Sequence, residues 1–140
     1  MNLETRILLI DNYDSFTYNL VHLVESITHQ KVVVYLNDRI EWDNVSQFDK
    51  IILSPGPGLP DEAGELKTFI RKFAAEKSML GVCLGHQAIA EVFGAQLKNL
   101  NQVCHGIATP IDIKEEDTLF HNLEPKQWVG RYHSWVVDEN

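Results

Sequence analysis

Four short apolar segments without polar alternation constrain the fold of this chain more than any other feature. They are RILLI (residues 6–10), KVVVYL (31–36), KIILS (50–54) and MLGV (79–82). A strand with one solvent-exposed face alternates apolar and polar residues, so continuous apolar runs indicate strands that are covered on both faces, as in a parallel sheet. The stretches between them carry apolar residues at helical spacing. We therefore predict an α/β fold: an open, mostly parallel sheet with right-handed crossovers and helices on both faces.

The C-terminal third has a different pattern. IATPIDI (107–113) alternates apolar and polar residues, and QWVGRYHSWVV (127–137) is rich in β-forming residues around one glycine. We predict antiparallel or edge strands in both segments. A length of 140 residues suits one domain and no linker-like segment interrupts it, so we predict a single domain over 1–140. The chain stops directly after the last predicted strand, and we expect that the domain lacks its C-terminal portion.

The balance of charge excludes some classes of partner. Twelve Lys and Arg against 20 Asp and Glu give a net charge of -8, which opposes binding to nucleic acid or to anionic lipid. No apolar run is long enough to span a bilayer and the first residues lack a secretory-signal pattern, so we expect a cytoplasmic chain without membrane contact. The two cysteines, Cys83 and Cys104, match neither a disulfide framework nor a four-ligand zinc pattern. We expect free thiols, no metal and no cofactor.

Three unusual loops follow the predicted strands. DNYDSFTYN (11–19) comes after the first strand, SPGPG (54–58) after the third and CLGHQ (83–87) after the fourth. Ligands of open parallel sheets bind outside the carboxyl ends of the strands. We therefore expect the three loops to converge at one edge of the sheet.

The third loop predicts a nucleophile. GVCLG (81–85) has the spacing of the G-x-S-x-G elbow, in which a tight strand-to-helix turn exposes the reactive side chain. Because a helix N-terminus favours the thiolate, we expect Cys83 to have a pKa below the ordinary value of about 8.5. The N–H of Leu84 would give one donor of an oxyanion hole, and Gly56 or Gly58 would give the second. The alternatives are a buried structural cysteine and an ordinary rigid turn.

Taken together, these motifs resemble the class I glutamine amidotransferases, specifically the glutaminase component of anthranilate synthase or aminodeoxychorismate synthase. The resemblance rests on DNYDSFTYNL, SPGPG, GVCLGHQAIAEVFGA and RYHS, which occur in this order over nearly the whole chain. It implies a flavodoxin-like fold and hydrolysis of L-glutamine through a γ-glutamyl thioester. It further implies that ammonia passes to a chorismate-binding synthase subunit within a heteromer.

The resemblance also implies roles for individual residues. Cys83 would be the nucleophile, and Gly56 and Leu84 would supply the oxyanion N–H groups. The residues implied to bind the substrate are Gly56, Pro57, Gly58, Gln87, Ser134 and Trp135. The residues predicted to face the synthase subunit are Asp14, Ser15 and Tyr18. An equal alternative is that Asp14 or Ser15 caps the helix that follows.

The sequence departs from the family pattern in three places. Ile107 follows His-Gly where the family usually has lysine, and Trp135 replaces a commoner leucine. The family's catalytic His and Glu lie in a later His-Pro-Glu segment that the 140 residues do not contain, and none of the six histidines present corresponds to that base. We therefore expect the 140-residue chain to have little or no glutaminase activity.

Two alternatives from other functional classes remain open. A flavodoxin-like module would hold the phosphate of FMN with the hydroxyl-rich loop after the first strand. It leaves the SPGPG loop and Cys83 without a role. A non-catalytic docking subunit would account for the missing catalytic base.

Overall fold

The computed structural model describes residues 4–115 and 117–139. Its strands are β1 Ile7–Asp11, β2 Val32–Leu36, β3 Lys50–Leu53, β4 Ser78–Gly81, β5 Leu97–Asn99, β6 Ile107–Asp112, β7 Lys126–Arg131 and β8 Trp135–Val137. Its α-helices are α1 Thr17–Thr28, α2 Leu66–Phe73 and α3 Leu84–Val92. Short 3₁₀ helices cover Trp42–Gln47, Pro60–Glu62 and Thr118–Phe120. Among the residues so described, no helix is long and apolar enough to cross a membrane.

The chain divides into two compact units. The first comprises Met1–Leu97 with Val137–Asn140, and the second comprises Lys98–Val136. The sequence predicts a single domain over 1–140, and this organisation stays a prediction.

The first unit contains a four-stranded parallel sheet in the order β2-β1-β3-β4. The register pairs Ile7 of β1 with Val32 of β2 on one side and with Lys50 of β3 on the other, and Lys50 with Ser78 of β4. The predicted α/β class with a parallel sheet is therefore confirmed. Since β2 and β3 flank β1 on opposite sides, the crevice between the carboxyl ends of β1 and β3 is the switch point at which such folds bind ligands.

Helices lie on both faces of this sheet and bury the apolar residues of β1 and β3, whereas Val33 of β2 and Leu80 of β4 are exposed. On one face, Leu8, Ile10, Ile51 and Leu53 form a core with the apolar residues of α2 and α3. On the other face, Ile7, Leu9 and Ile52 pack against Val21 of α1. The residues of α2 that enter the first core are Leu66, Phe69, Ile70 and Phe73, all buried at helical spacing. Burial of this apolar surface is the main force that fixes the strands in place.

The second unit contains an antiparallel hairpin of β6 and β7, with Ile107 opposite Arg131 and Asp112 opposite Lys126. Antiparallel or edge strands are predicted in 107–113 and 127–137, and the structure has strands in both segments. Segment 127–137 contains β7 and β8, and β8 pairs with β5. The sequence does not predict β5, because its three residues include only one apolar side chain and show no apolar–polar alternation.

Candidate active site

Cys83 lies between the end of β4 and the first residue of α3 in a strained backbone conformation. Its φ of 51° and ψ of -107° belong to a region that residues with a side chain rarely adopt. Such outliers cost about 1–3 kcal/mol and cluster at functional sites. The side chain is partly exposed, whereas Cys104 is 8% exposed. Cys83 is therefore not the buried structural cysteine of the alternative interpretation.

The two glycines around Cys83 are required by the close approach of backbone segments. A Cβ added to Gly81 would lie 2.5 Å from the carbonyl carbon of Gly85. A Cβ added to Gly85 would overlap the carbonyl oxygen of Leu53 and lie 2.6 Å from the Cβ of Leu53. These distances are too short for any real Cβ, so both positions exclude a side chain. The structure thus has the tight strand-to-helix turn that the G-x-C-x-G spacing predicts.

The three loops converge, as the sequence predicts. Gly56 of the SPGPG loop lies between the first loop and the elbow. A Cβ on Gly56 would lie 2.6 Å from the Cβ of Asn12 and 2.8 Å from Cδ2 of Leu84. The amide of Val82, at the start of the elbow, donates to the carbonyl oxygen of Leu53 at 3.0 Å. The backbone of Gly56 is therefore held directly beside the residue that follows Cys83.

The expectation of a lowered pKa for Cys83 is wrong. Burial raises the pKa of the thiol above its ordinary value, and this is the largest influence. The backbone N–H of Leu84 donates to the sulfur and acts in the opposite direction, while the negative charge of Asp14 raises the pKa further. Position at a helix N-terminus favours the thiolate, but loss of water around the sulfur costs more. Burial therefore favours the neutral thiol of Cys83 over the thiolate.

The predicted substrate residues of the first unit belong to α3 and to the SPGPG loop. Gln87 is 6% exposed one helical turn after Cys83, and its backbone N–H donates to the Cys83 carbonyl oxygen at 3.0 Å. Gly58 has a φ of 72°, which only glycine adopts freely, and the next N–H, that of Leu59, donates to Glu62 at 2.9 Å. Pro57, between the two glycines of the loop, is exposed. The substrate roles of these residues stay predictions.

The segment ahead of α1 shows a local backbone contact of Asp14. The carboxylate of Asp14 accepts the N–H of Phe16 at 2.9 Å, and its carbonyl oxygen accepts the N–H of Thr17 at 3.3 Å. Ser15 is exposed and Tyr18 is 61% exposed. The N-cap of α1 is Phe16 and has no side-chain cap bond, so neither Asp14 nor Ser15 caps the helix as the alternative predicts. The Asp14 carboxylate bonds to the backbone ahead of the helix, and Tyr18 is accessible to a partner.

The remaining predicted residues belong to the second unit. The carbonyl oxygen of Ser134 accepts the N–H of Leu100 at 2.7 Å, and the carbonyl oxygen of Trp135 lies 2.9 Å from Nδ1 of His133. Ser134 and Trp135 are partly exposed, and Ile107, the residue in the place of the family's lysine, begins β6. Their proposed contact with glutamine stays a prediction.

Sequence reasoning missed a buried polar cluster at the carboxyl ends of β1, β2 and β3. Asn12 donates to Ser54 twice, from its backbone N–H to Oγ at 2.9 Å and from Nδ2 to the carbonyl oxygen at 2.8 Å. Nδ2 of Asn37 donates to Oδ1 of Asn12 at 3.1 Å. Asp11 accepts the hydroxyl of Thr17 at 2.7 Å. The available signal was a small polar residue directly after each buried apolar run.

No group of three or more His, Cys, Asp or Glu side chains in the described ranges is arranged to hold a metal ion. What the site presents is therefore a strained cysteine, backbone N–H groups of two loops and a buried glutamine side chain. These groups suit the attack of sulfur on a carbonyl carbon with stabilisation of the oxygen by N–H donors.

Comparison with known proteins gives the same family. Residues 8–140 match the family model of the class-I glutamine amidotransferases. Anthranilate synthase component 2 of Lactococcus lactis subsp. lactis is 48% identical over 134 residues, which are 95% of this chain and 67% of that protein. The aminodeoxychorismate/anthranilate synthase component 2 of Bacillus subtilis is 42% identical over 133 residues, 94% of this chain and 68% of that protein. The chain thus spans about two thirds of the length of these relatives.

A solved structure agrees in fold. A glutamine amidotransferase from Thermotoga maritima superposes with a TM-score of 0.79 at 15% identity, covering 96% of this chain and 63% of that chain. The resemblance that the four motifs predict is confirmed, and it sets aside the FMN-binding alternative. The chain belongs to the class I glutamine amidotransferases.

Proposed function

We propose that this chain is the glutaminase component of an anthranilate or aminodeoxychorismate synthase, with Cys83 as its nucleophile. One observation carries the proposal: a partly exposed cysteine in a strained elbow faces the N–H of Leu84 and adjoins the SPGPG loop. A backbone N–H donor beside a nucleophilic sulfur is the arrangement that acyl transfer needs.

In the proposed reaction, the sulfur of Cys83 forms a bond to the Cδ of L-glutamine, and the C=O electron pair moves onto oxygen. The N–H groups of Leu84 and Gly56 hold that oxyanion. The C–N bond then breaks, the nitrogen leaves as ammonia after protonation, and a γ-glutamyl thioester remains. Water hydrolyses the thioester to glutamate and restores the thiol. Because the pKa of the Cys83 thiol is raised by burial, the attack requires a group that accepts the thiol proton.

The substrate is proposed to be held by Gln87, Ser134, Trp135 and the Gly56-Pro57-Gly58 segment. In support, the buried amide of Gln87 lies one helical turn after the nucleophile, on the same side of α3. The ammonia is proposed to pass to a chorismate-binding synthase subunit, since the relatives are named as components 2 of such synthases. The cytoplasm is the proposed location, because both cysteines are free thiols.

We propose that this subunit contacts Asp14, Ser15 and Tyr18. The segment carries two exposed aromatic side chains beside the site, Phe16 at 67% and Tyr18 at 61% exposure. Aromatic residues are enriched at the centres of protein interfaces. Tyr18→Ala is expected to weaken binding of the purified synthase subunit in calorimetry about tenfold or more, whereas Tyr132→Ala, 66% exposed in the second unit, is the matched control.

The proposed nucleophile is tested by treating the full chain with 6-diazo-5-oxo-L-norleucine and mapping the adduct by mass spectrometry. The expected result is one adduct on Cys83, slowed by L-glutamine and not by D-glutamine, and absent in Cys83→Ser. Cys104→Ser is the matched control and should label normally, because Cys104 is buried. Labelling at Cys104, or indifference to L-glutamine, would instead favour a non-catalytic docking subunit. The low glutaminase activity expected of the 140 residues stays a prediction, and this experiment does not depend on it.

A further inference from the structure

Asn12 connects the two loops at the switch point of the sheet. It is 2% exposed, and each of its polar groups except the carbonyl oxygen takes part in a hydrogen bond of the buried cluster described above. Its bonds to Ser54 span the crevice between the ends of β1 and β3, 42 residues apart in sequence. A buried side-chain amide whose nitrogen donates and whose oxygen accepts is fixed in one orientation, because rotation would leave a buried polar atom without a hydrogen bond.

Ser54, the first residue of the SPGPG loop, connects Asn12 to that loop. It is fully buried, its carbonyl oxygen and hydroxyl are both bonded to Asn12, and its hydroxyl donates to the carbonyl oxygen of Pro55 at 2.6 Å. The peptide on each side of Pro55 is thus constrained, and the proline rings fix φ at 55 and 57. The direction of the Gly56 N–H is set by these neighbouring peptides.

Asn12 also forms one wall of the slot that holds Gly56. A Cβ on Gly56 would lie 2.6 Å from the Asn12 Cβ and 2.7 Å from the Asn12 carbonyl oxygen, with Leu84 at 2.8 Å on another side. Gly56 therefore packs directly against Asn12 and Leu84, without room for a side chain. Loss of the Asn12 amide removes two hydrogen bonds, to Ser54 and from Asn37, while the Cβ and carbonyl oxygen that face Gly56 remain.

We propose that Asn12 is a positioning residue of the oxyanion hole, which acts through Ser54 to hold the Gly56 N–H toward the carbonyl oxygen of the bound acyl group. This inference rests on the proposed function of Cys83. A displacement of about 1 Å in a catalytic group can lower a rate about 10²-fold, and loss of one oxyanion donor lowers it about 10²- to 10³-fold. Asn12 touches neither the sulfur nor the substrate in this role.

The test compares two small reagents that differ in their need for an oxyanion hole. Acylation by p-nitrophenyl acetate passes through a tetrahedral oxyanion, and its leaving group departs without protonation. Alkylation by iodoacetamide displaces iodide at a saturated carbon and forms no oxyanion. Both rates are measured on the full chain by mass spectrometry of the Cys83 peptide, with Cys83→Ser as background. The ratio of the acylation rate to the alkylation rate cancels changes in the exposure or pKa of the thiol.

In Asn12→Ala we expect this ratio to fall about tenfold or more relative to the wild type. The matched control Asn44→Ala, which removes an exposed amide bonded to Glu41, should leave the ratio unchanged. An unchanged ratio in folded Asn12→Ala overturns the inference. If Asn12→Ala does not fold, Ser54→Ala, which removes the hydroxyl that accepts the Asn12 N–H, is read in the same way: a fall supports the inference and an unchanged ratio overturns it.

Failure of the proposed function has a different signature. In that case the wild-type ratio equals that of a free cysteine peptide, because no oxyanion hole assists the ester, and this outcome also overturns the inference. If the wild-type ratio exceeds that of the free cysteine peptide and Asn12→Ala does not change it, the proposed role of Asn12 is overturned and the proposed function is not.

Discussion

Replacement of Gly85 by alanine tests the elbow directly, since the new Cβ would overlap the backbone of β3. In the structure that Cβ lies 2.6 Å from the Leu53 Cβ and 2.8 Å from the Leu53 carbonyl carbon. An ordinary contact begins near 3.4 Å, so α3 and the end of β3 must separate by at least about 0.8 Å, since the Leu53 carbonyl oxygen lies nearer still. The contacts are backbone and Cβ atoms, which cannot turn aside as the end of a long side chain can.

The size of the effect follows from this displacement. Overpacking a tight site costs about 1–3 kcal/mol, and a clash with backbone on this scale belongs at the upper end. For a chain of this length about 3 kcal/mol lowers the melting temperature by about 10 °C. A shift of about 0.8 Å in the helix that begins after Cys83 should also lower the rate of labelling by the diazo-ketone by about 10²-fold.

Two measurements check this prediction: thermal unfolding followed by circular dichroism, and the rate of adduct formation at Cys83. Gly130→Ala is the control, since its Cβ would meet only the ring edge of Tyr132 at 3.3 Å and the ring can rotate. We expect its melting temperature to change by no more than about 2 °C. If Gly85→Ala melts and labels like Gly130→Ala, the interpretation of the G-x-C-x-G turn as a tightly packed elbow is refuted.

Three further predictions concern charge and local stability. Asp14→Asn should lower the pKa of Cys83, since the Asp14 charge raises it, and alkylation by iodoacetamide should then extend to lower pH; an unchanged profile would contradict this. Lys67→Met leaves the partly buried Glu91 unpaired and should lower the melting temperature by about 5 °C at pH 7. The difference should vanish as pH rises above the raised pKa of Lys67, because the wild type then loses the same ion pair; a difference that persists there would point to packing instead. Amides of the β6–β7 hairpin should exchange with solvent about 100-fold faster than those of the buried strand β1, by mass spectrometry, and equal protection would refute this.

The sequence by itself determined the sheet and the elbow, because both depend on local patterns. Four uninterrupted apolar runs are typical of strands in a parallel sheet with helices on each side, and β1 and β3 are buried in this way. The glycines at 81 and 85 around Cys83 indicate a turn that excludes Cβ atoms. Such features depend on residues that are neighbours in the sequence, and so the sequence alone predicts them.

Only the tertiary structure decided the state of the thiol and the support of the loop beside it. The helix N-terminus is visible in sequence, but the loss of water around the Cys83 sulfur depends on distant segments, and that loss reverses the direction of the pKa shift. The pairing of Asn12 with Ser54 likewise joins residues 42 positions apart. A pattern of single residues predicts which groups are polar, whereas only the packed chain decides which of them meet.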